Sequence, residues 1–225
     1  NPTGGHFDYG RQGTSTTHIL QQILSKLEES YFTFLTPTGF GAVFLAIFSV
    51  TRPGDEIIVA DPVYSPTRLL SQDFLKEFNI KTTFYDPHNL KTLEKAITKK
   101  TKLIFVENPG SNTFDFQDLG KIISIAKKHK ILTAIDNTWG TPYFLKPIKL
   151  GFDMSIVSAT KYYSGHSDVM GGSLAVNKKV FAKVKAAERV TGLRLGPDDA
   201  LSLIHISEPT RRTPISYAVF CLKKT

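Results

Sequence analysis

Cysteine is nearly missing from these 225 residues, with Cys221 the single example. One thiol cannot close a disulfide within a chain, so the stapled, disulfide-rich class is excluded. Long apolar runs are missing too. No stretch approaches the roughly 18 consecutive apolar residues of a membrane-spanning helix, and no charged n-region, apolar h-region and cleavage pattern follows Asn1. The expectation is a cytoplasmic protein without a membrane partner. A phosphate loop of the form GxxxxGK[ST] is absent, which argues against that class of nucleotide hydrolase. Metal ligands are sparse: His166 and Asp168 stand close together, but neither a cysteine nor a second nearby histidine completes a set, and no metal is expected. The first residue is Asn1 rather than Met, which reads as a start inside a longer chain.

Positive charge is what the sequence has in excess: 28 Lys and Arg against 20 Asp and Glu, a formal charge of +8. Such a balance suits an anionic partner. The lysines, however, are scattered through helix-period stretches such as KIISIAKKHK (121–130), without the interleaved aromatics that stack single-stranded bases. A solvated helix face is the reading, and no nucleic-acid partner is expected. Part of the excess comes from an unusual end. LSLIHISEPTR (201–211) and ISYAVFCL (215–222), followed by Lys223 and Lys224, resemble a translated sequencing-library adapter in one continuous frame, with Arg212, Thr213 and Pro214 filling the index between them. Residues 201–225 are therefore expected to be a non-native tail. Setting aside Arg211, Arg212, Lys223, Lys224 and Glu208 lowers the charge from +8 to +5. Cys221 goes with them, which leaves residues 1–200 without thiol chemistry.

Within 1–200 there is no repeat and no low-complexity linker. Short apolar runs rich in β-branched residues recur: EIIVAD (56–61), KTTFYD (81–86), KLIFVEN (102–108), ILTAIDN (131–137), DMSIVSAT (153–160) and GSLAVN (172–177). Between most of them lie helix-period segments, SPTRLLSQDFLKEF (65–78), NLKTLEKAI (89–97) and DLGKIISIAKKHK (118–130), with Ser65 and Asp118 as candidate N-caps. Strands that are continuously apolar, with helices between them, predict an α/β domain: a mostly parallel sheet covered by helices on both faces. Ligands of such sheets collect at the carboxyl ends of the strands.

The residues at those ends are polar and specific: Asp61-Pro-Val-Tyr64, Glu107-Asn-Pro-Gly-Ser111, Asp136-Asn-Thr-Trp139 and Ser158-Ala-Thr160-Lys161. Upstream, Thr36-Pro-Thr-Gly39-Phe40-Gly41 precedes the apolar helix AVFLAIFSV (42–50). A Thr/Gly turn that opens a helix offers free amides and a positive dipole end, which suits a phosphate. Gly39 and Gly41 also resemble the start of a dinucleotide fingerprint, but Phe44 stands where the third glycine belongs, and no acid about 20 residues on ends a strand. Taken alone, Lys161 is an ordinary surface lysine. Together, a lysine, hydroxyls at 158 and 160, a carboxylate (Asp136), an aromatic ring (Tyr64) and a phosphate-ready helix start are the parts needed to hold pyridoxal phosphate.

YGRQGTSTTHILQQILSKLEE (9–29), IDNTW (135–139) and ATKYYSGHSDVMGG (159–172) resemble the Cys/Met-metabolism pyridoxal-phosphate enzymes over essentially all of 1–200. Within that family Tyr9-Gly-Arg11-x-Gly-Thr14 and Trp139 are most similar to the bacterial cystathionine β-lyases. The resemblance implies the large domain of a fold-type I enzyme, without the small C-terminal domain that carries the substrate-carboxylate arginine, so the chain alone is expected to be inactive. It implies cofactor binding by Lys161, Asp136, Tyr64, Gly39, Phe40, Ser158, Thr160, Tyr9 and Arg11, and catalytic roles for Lys161, Tyr64 and Tyr9. Lys161 would carry the cofactor, Asp136 would face its ring nitrogen, Tyr64 would stack on its ring, and Gly39, Phe40, Ser158 and Thr160 would hold its phosphate. Tyr9 and Arg11 would reach the phosphate of a neighbouring subunit, which implies a homodimer or tetramer with shared sites. Ser111 stands where many relatives have asparagine. The implied reaction on a small amino-acid substrate is α,β-elimination from L-cystathionine, with a γ-lyase or γ-synthase as the alternative. Outside the family, a nicotinamide-binding dehydrogenase and a basic nucleic-acid-binding module compete.

Overall fold

The computed structural model describes residues 9–207. In chain order, a 3-10 turn (Gly10–Gln12) leads to α1 (Ser15–Glu28), β1 (Phe32–Thr36), α2 (Gly39–Val50), β2 (Glu56–Ala60), α3 (Ser65–Leu69), a π-helical turn (Leu70–Phe74), α4 (Leu75–Glu77) and β3 (Lys81–Tyr85). There follow α5 (Leu90–Ala96), β4 (Thr101–Glu107), α6 (Leu119–His129), β5 (Leu132–Asp136), α7 (Thr141–Phe144), α8 (Pro147–Leu150), β6 (Met154–Val157), β7 (Gly172–Val176), α9 (Lys178–Thr191) and α10 (Pro197–Ser207).

The seven strands form one sheet in the order β1-β7-β6-β5-β4-β2-β3. Pairing is parallel from β3 across to β6 and antiparallel only on the two sides of β7. The mostly parallel sheet expected from the apolar runs is thus present. Because β1 and β6 both run against β7, β1 points the same way as β2 to β6. All six therefore bring their carboxyl ends to one edge.

Both faces are covered, and the pleat decides which residue serves which face. Phe34 packs in the main cluster with α2 and α9 residues such as Leu45, Ile47, Val180 and Val184. Its neighbour Leu35 packs in a second cluster with Leu20 and Leu24 of α1 and Leu203 of α10. Helix α2 is apolar on nearly every side, and Leu45 and Ile47 are fully buried; each such side chain contributes about 1.5–3 kcal/mol of burial.

Asp118 caps α6 as expected, accepting from the Lys121 amide at 2.9 Å. Ser65 does not act as a cap: it is the first residue inside α3, and Tyr64 holds the cap position without a side-chain bond. The strand β1 and helix α9 were not among the expected elements. Helix α10 runs through residue 200 to Ser207, and its Leu203 is buried. Cys221 and residues 208–225 lie outside the described residues. Among the described residues, no helix is long and apolar enough to cross a membrane, and no cluster of His, Cys, Asp and Glu could hold a metal ion.

Candidate active site

The strand ends and the start of α2 enclose a cleft of about 280 Å³. Its lining includes Gly39, Phe40, Tyr64, Asp136, Ser158, Thr160 and Lys161, which are seven of the nine residues expected from sequence. They come from different parts of the sheet edge. Tyr64 follows β2, Asp136 ends β5, and Ser158 to Lys161 leave β6 in the connection that turns back into β7.

One wall is the amino end of α2. Thr38 caps it, its Oγ1 accepting from the Gly41 amide at 2.9 Å, while the Ala42 amide bonds the Thr38 carbonyl at 3.2 Å. That leaves the Gly39 and Phe40 amides as the first-turn donors without an intrahelical acceptor, at the positive end of the helix dipole. Gly39 has to be glycine. A Cβ there would stand 2.5 Å from Ser158 Cβ and 2.6 Å from Ser158 Oγ. Gly172 closes the same contact from below, since its Cβ would stand 2.6 Å from Thr36 Oγ1 and 2.8 Å from Gly39 Cα. The glycine that ends the lysine motif thus lets the helix start, the serine and the edge of β7 approach one another. The result is a pocket of amides and a hydroxyl shaped for an anion such as a phosphate.

The lysine loop is held by its own hydroxyls. The Lys161 amide bonds the Ser158 carbonyl at 3.1 Å, and the Gly165 amide bonds the Lys161 carbonyl at 2.8 Å. Thr160 Oγ1 donates to the Gly171 carbonyl at 3.2 Å and accepts from the Gly171 amide at 3.1 Å. Its proton is spent on the loop, so of the two hydroxyls expected at the phosphate, Ser158 is the one with a proton for an anion. Lys161 is an exposed residue lining the cleft.

The floor carries two carboxyl groups. Strands β4 and β5 pair with Glu107 opposite Asp136, and both line the cleft. Asp136 Oδ1 accepts from the Thr138 amide at 3.0 Å; loss of water pushes its carboxyl above the usual carboxylate range, while the Thr138 bonds pull it back. Glu107 Oε2 accepts from the Tyr64 amide at 2.6 Å, and Oε1 accepts from the Ser111 hydroxyl. Burial first, and the Asp136 charge second, push Glu107 up to about 7.

Sequence reasoning assigned Glu107 and Thr138 no role at this cleft. Thr138 Oγ1 accepts from the Ser158 amide at 2.8 Å and so ties the β5 turn to the lysine loop. Their signal was position at a strand end; which strand ends are neighbours is a matter of register that a single chain does not display. Trp139 stands at the rim, half exposed, between the rings of Phe114 and Tyr162 at centroid distances of 6.2 and 6.1 Å. Tyr9 and Arg11 do not line the cleft. Arg11 instead donates to the Arg189 carbonyl at 3.1 Å.

A lysine, an acid, an aromatic ring and an anion pocket thus meet on the carboxyl edge of the sheet, the set of groups that an aldehyde-bearing phosphate cofactor requires. The chain belongs to the family described as Cys/Met metabolism PLP-dependent enzyme, whose model matches residues 1–205. It is 37% identical over 195 residues to a cystathionine beta-lyase of Lactococcus lactis subsp. cremoris, covering 86% of this chain and 51% of that one. It is 34% identical to an L-methionine gamma-lyase of Fusobacterium nucleatum subsp. polymorphum, covering 87% and 50%. The crystal structure of a cystathionine gamma-lyase from Lactobacillus plantarum, complexed with L-serine, superposes with a TM-score of 0.85 at 32% identity, over 91% of this chain and 54% of that one. The chain spans about half the length of the curated relatives it matches. Membership in a pyridoxal-phosphate-dependent family replaces the dehydrogenase and nucleic-acid alternatives.

Proposed function

We propose that this chain is the cofactor-binding part of a carbon–sulfur lyase that cleaves L-cystathionine to homocysteine, pyruvate and ammonia by α,β-elimination. The observation that carries the reading is the convergence of Lys161, Asp136, Tyr64 and the α2 amino end on one cleft. The pocket of Gly39, Phe40 and Ser158 fits a phosphate, and Lys161 stands where it can take an aldehyde. Bound pyridoxal phosphate supplies an electron sink for charge that develops at the substrate Cα. The protein does the rest. The Lys161 amine removes the proton from Cα and returns one later. Asp136 would provide the negative charge that keeps the ring nitrogen protonated, and Tyr64 would supply an aromatic surface for the ring. The α2 amides orient the phosphate and with it the reacting carbon.

β-Elimination is favoured by Trp139 and by relatives such as the Lactococcus cystathionine beta-lyase; the methionine gamma-lyase and cystathionine gamma-lyase relatives favour the γ reading. A shared site between two copies, with Tyr9 and Arg11 reaching a neighbouring phosphate, fits their place outside this chain's own cleft. Two measurements test the reading. Borohydride reduction after incubation with pyridoxal phosphate, followed by peptide mapping, should place the adduct on Lys161; an adduct on another lysine would end the proposal. In a full-length enzyme carrying this segment, cystathionine should release pyruvate, whereas release of 2-oxobutyrate would assign it to γ-elimination.

A further inference from the structure

We propose that Glu107 is a positioning residue of the cleft: its carboxyl group clamps the Tyr64 turn to the Ser111 turn and, beside Asp136, governs how Asp136 holds its charge. The inference rests on the pyridoxal-phosphate reading of the cleft and deepens it.

The geometry has three parts. The two carboxyl oxygens of Glu107 serve two different chain segments. Oε2 takes the Tyr64 amide at 2.6 Å, across 43 residues of sequence, and Oε1 takes the Ser111 hydroxyl. The Tyr64 amide precedes the first turn of α3, where no carbonyl of that helix can accept from it, so Glu107 is what fixes the backbone that presents the Tyr64 ring. Ser111 in turn spends its proton on Glu107 and has only acceptor lone pairs to offer the cleft. Lastly, parallel pairing sets Glu107 directly opposite Asp136, and like charges side by side on one floor disfavour double ionisation.

The ionisable groups around Glu107 are few. Asp136 faces it from β5, and Lys161 and the Tyr64 phenol line the same cleft from the β6–β7 connection and the β2–α3 turn. The Ser111 turn offers a hydroxyl. Loss of water raises both carboxyl groups, and the Asp136 charge raises Glu107 further, so the pair resists carrying two negative charges at once. A cationic ring nitrogen facing Asp136 favours the charge on that carboxyl, and Glu107 then takes the proton that the pair retains.

The test uses the chain reconstituted with pyridoxal phosphate. Cofactor affinity is read by fluorescence titration, and the pH midpoint of the lysine-bound cofactor by its absorbance. Glu107→Gln keeps the shape of the clamp and removes the titration; affinity should stay within about threefold of the parent, while the midpoint moves to lower pH, because Glu107 can no longer ionise as pH rises and add a second negative charge that favours the protonated form. Glu107→Ala removes the clamp as well, and affinity should fall by about tenfold or more. An unchanged midpoint in Glu107→Gln overturns the charge role, and Glu107→Ala with parental affinity overturns the clamp. If Glu107→Ala does not fold, the isosteric Glu107→Gln still decides the charge role through its midpoint. Failure of the parent chain itself to take the cofactor at Lys161 would overturn the pyridoxal-phosphate reading along with this inference, a result distinct from either variant behaving as the parent.

Discussion

Glu28 and Glu107 are two glutamates taken out of water in different parts of the fold, and both carboxyl groups are pushed up to about 7. Their surroundings differ in kind. Glu107 sits on the cleft floor with a donor for each oxygen, the Tyr64 amide and the Ser111 hydroxyl. Glu28, the last residue of α1, is fully buried away from the cleft, and neither of its oxygens has a hydrogen-bond partner. Near it stand Ser155 of β6 and Tyr163 of the lysine loop, with Ser173 of β7 beside Tyr163; their hydroxyl oxygens are also buried, without a partner at hydrogen-bond geometry. The pleat explains the gathering: Ile156 and Leu174 join the main cluster, so Ser155 and Ser173 must face the α1 side. Ser155 is near enough to weigh on the Glu28 carboxyl yet outside direct bonding geometry, and the charge of Lys146, which pairs with Glu29 at 2.8 Å, also lowers it.

The same shift therefore has two meanings. At Glu107 part of the shift is a neighbour's charge, and the donors make ionisation tolerable. At Glu28 the shift is almost wholly lost hydration, and an ionised carboxylate there would be an unpaired buried charge, which proteins avoid by keeping the group neutral.

Breaking the cleft side should have the largest effect. In a full-length enzyme carrying this segment, Asp136→Asn keeps the shape but removes the charge at the ring nitrogen. Turnover should fall by about a thousandfold, about 4 kcal/mol in barrier, whereas Glu28→Gln, remote from the cleft, should stay within about threefold. Steady-state pyruvate release checks both, and near-parental turnover in Asp136→Asn would remove Asp136 from the mechanism.

Stability should respond on the other side. A carboxyl group whose folded value is raised is stabilising in its protonated form, so the folded state is best below about 4.5 and loses stability as pH rises from there through about 7. For Glu28 that loss is on the order of 3 kcal/mol once complete. Glu28→Gln cannot ionise, so it should be more stable than the parent at pH 8 and close to it at pH 4. Urea unfolding at the two pH values measures the difference; a variant that is less stable at pH 8 would show that Glu28 is ionised and paired.

A smaller effect separates the two acids directly. Asp136→Asn deletes the second cause of the Glu107 shift, so Glu107 should titrate lower, while Glu28 stays where it is. Carbon-13 spectra of labelled glutamate carboxyls across pH 4 to 9 would follow both. Movement of Glu28 together with Glu107 would mean that the two regions are coupled through the sheet.

Much of this arrangement was legible in the sequence, and the gaps have a common cause. Strands β2 to β7 announced themselves as short apolar runs, most of them covered on both faces. Strand β1, FTFLT, did not, since it is short and merges with the turn at Pro37. The π-helical turn at Leu70–Phe74 interrupts a segment whose apolar spacing reads as plain α-helix. Lys161, Asp136, Tyr64 and the α2 amino end were readable because each sits at a strand end or at a helix start. Glu107 sat in plain view at a strand end, but its meaning lies in standing opposite Asp136. The Glu28 cluster joins residues 28, 155, 163 and 173, which only the folded pleat brings together.

The smallest expected effect compares two helix caps, one on each side. Thr38 caps α2 at the cleft through the Gly41 amide at 2.9 Å. Thr14 caps the amino end of α1, the helix whose last residue is Glu28, accepting from the Thr17 amide at 3.3 Å, while its own amide donates to Thr17 Oγ1 at 2.9 Å. Replacing either by alanine removes one bond to an otherwise unpaired first-turn amide, and each should cost about 1 kcal/mol of stability. The consequences for the ligand should differ. Thr14→Ala touches nothing in the cleft and should leave pyridoxal-phosphate affinity unchanged. Thr38→Ala loosens the turn that aims the Gly39 and Phe40 amides, so affinity should fall by a few-fold, in line with about 1 kcal/mol. Fluorescence titration with pyridoxal phosphate, beside thermal unfolding of both variants, makes the comparison. Equal affinities at equal stability loss would mean that the α2 amides do not hold the phosphate, and that the anion pocket has to be sought elsewhere along the sheet edge.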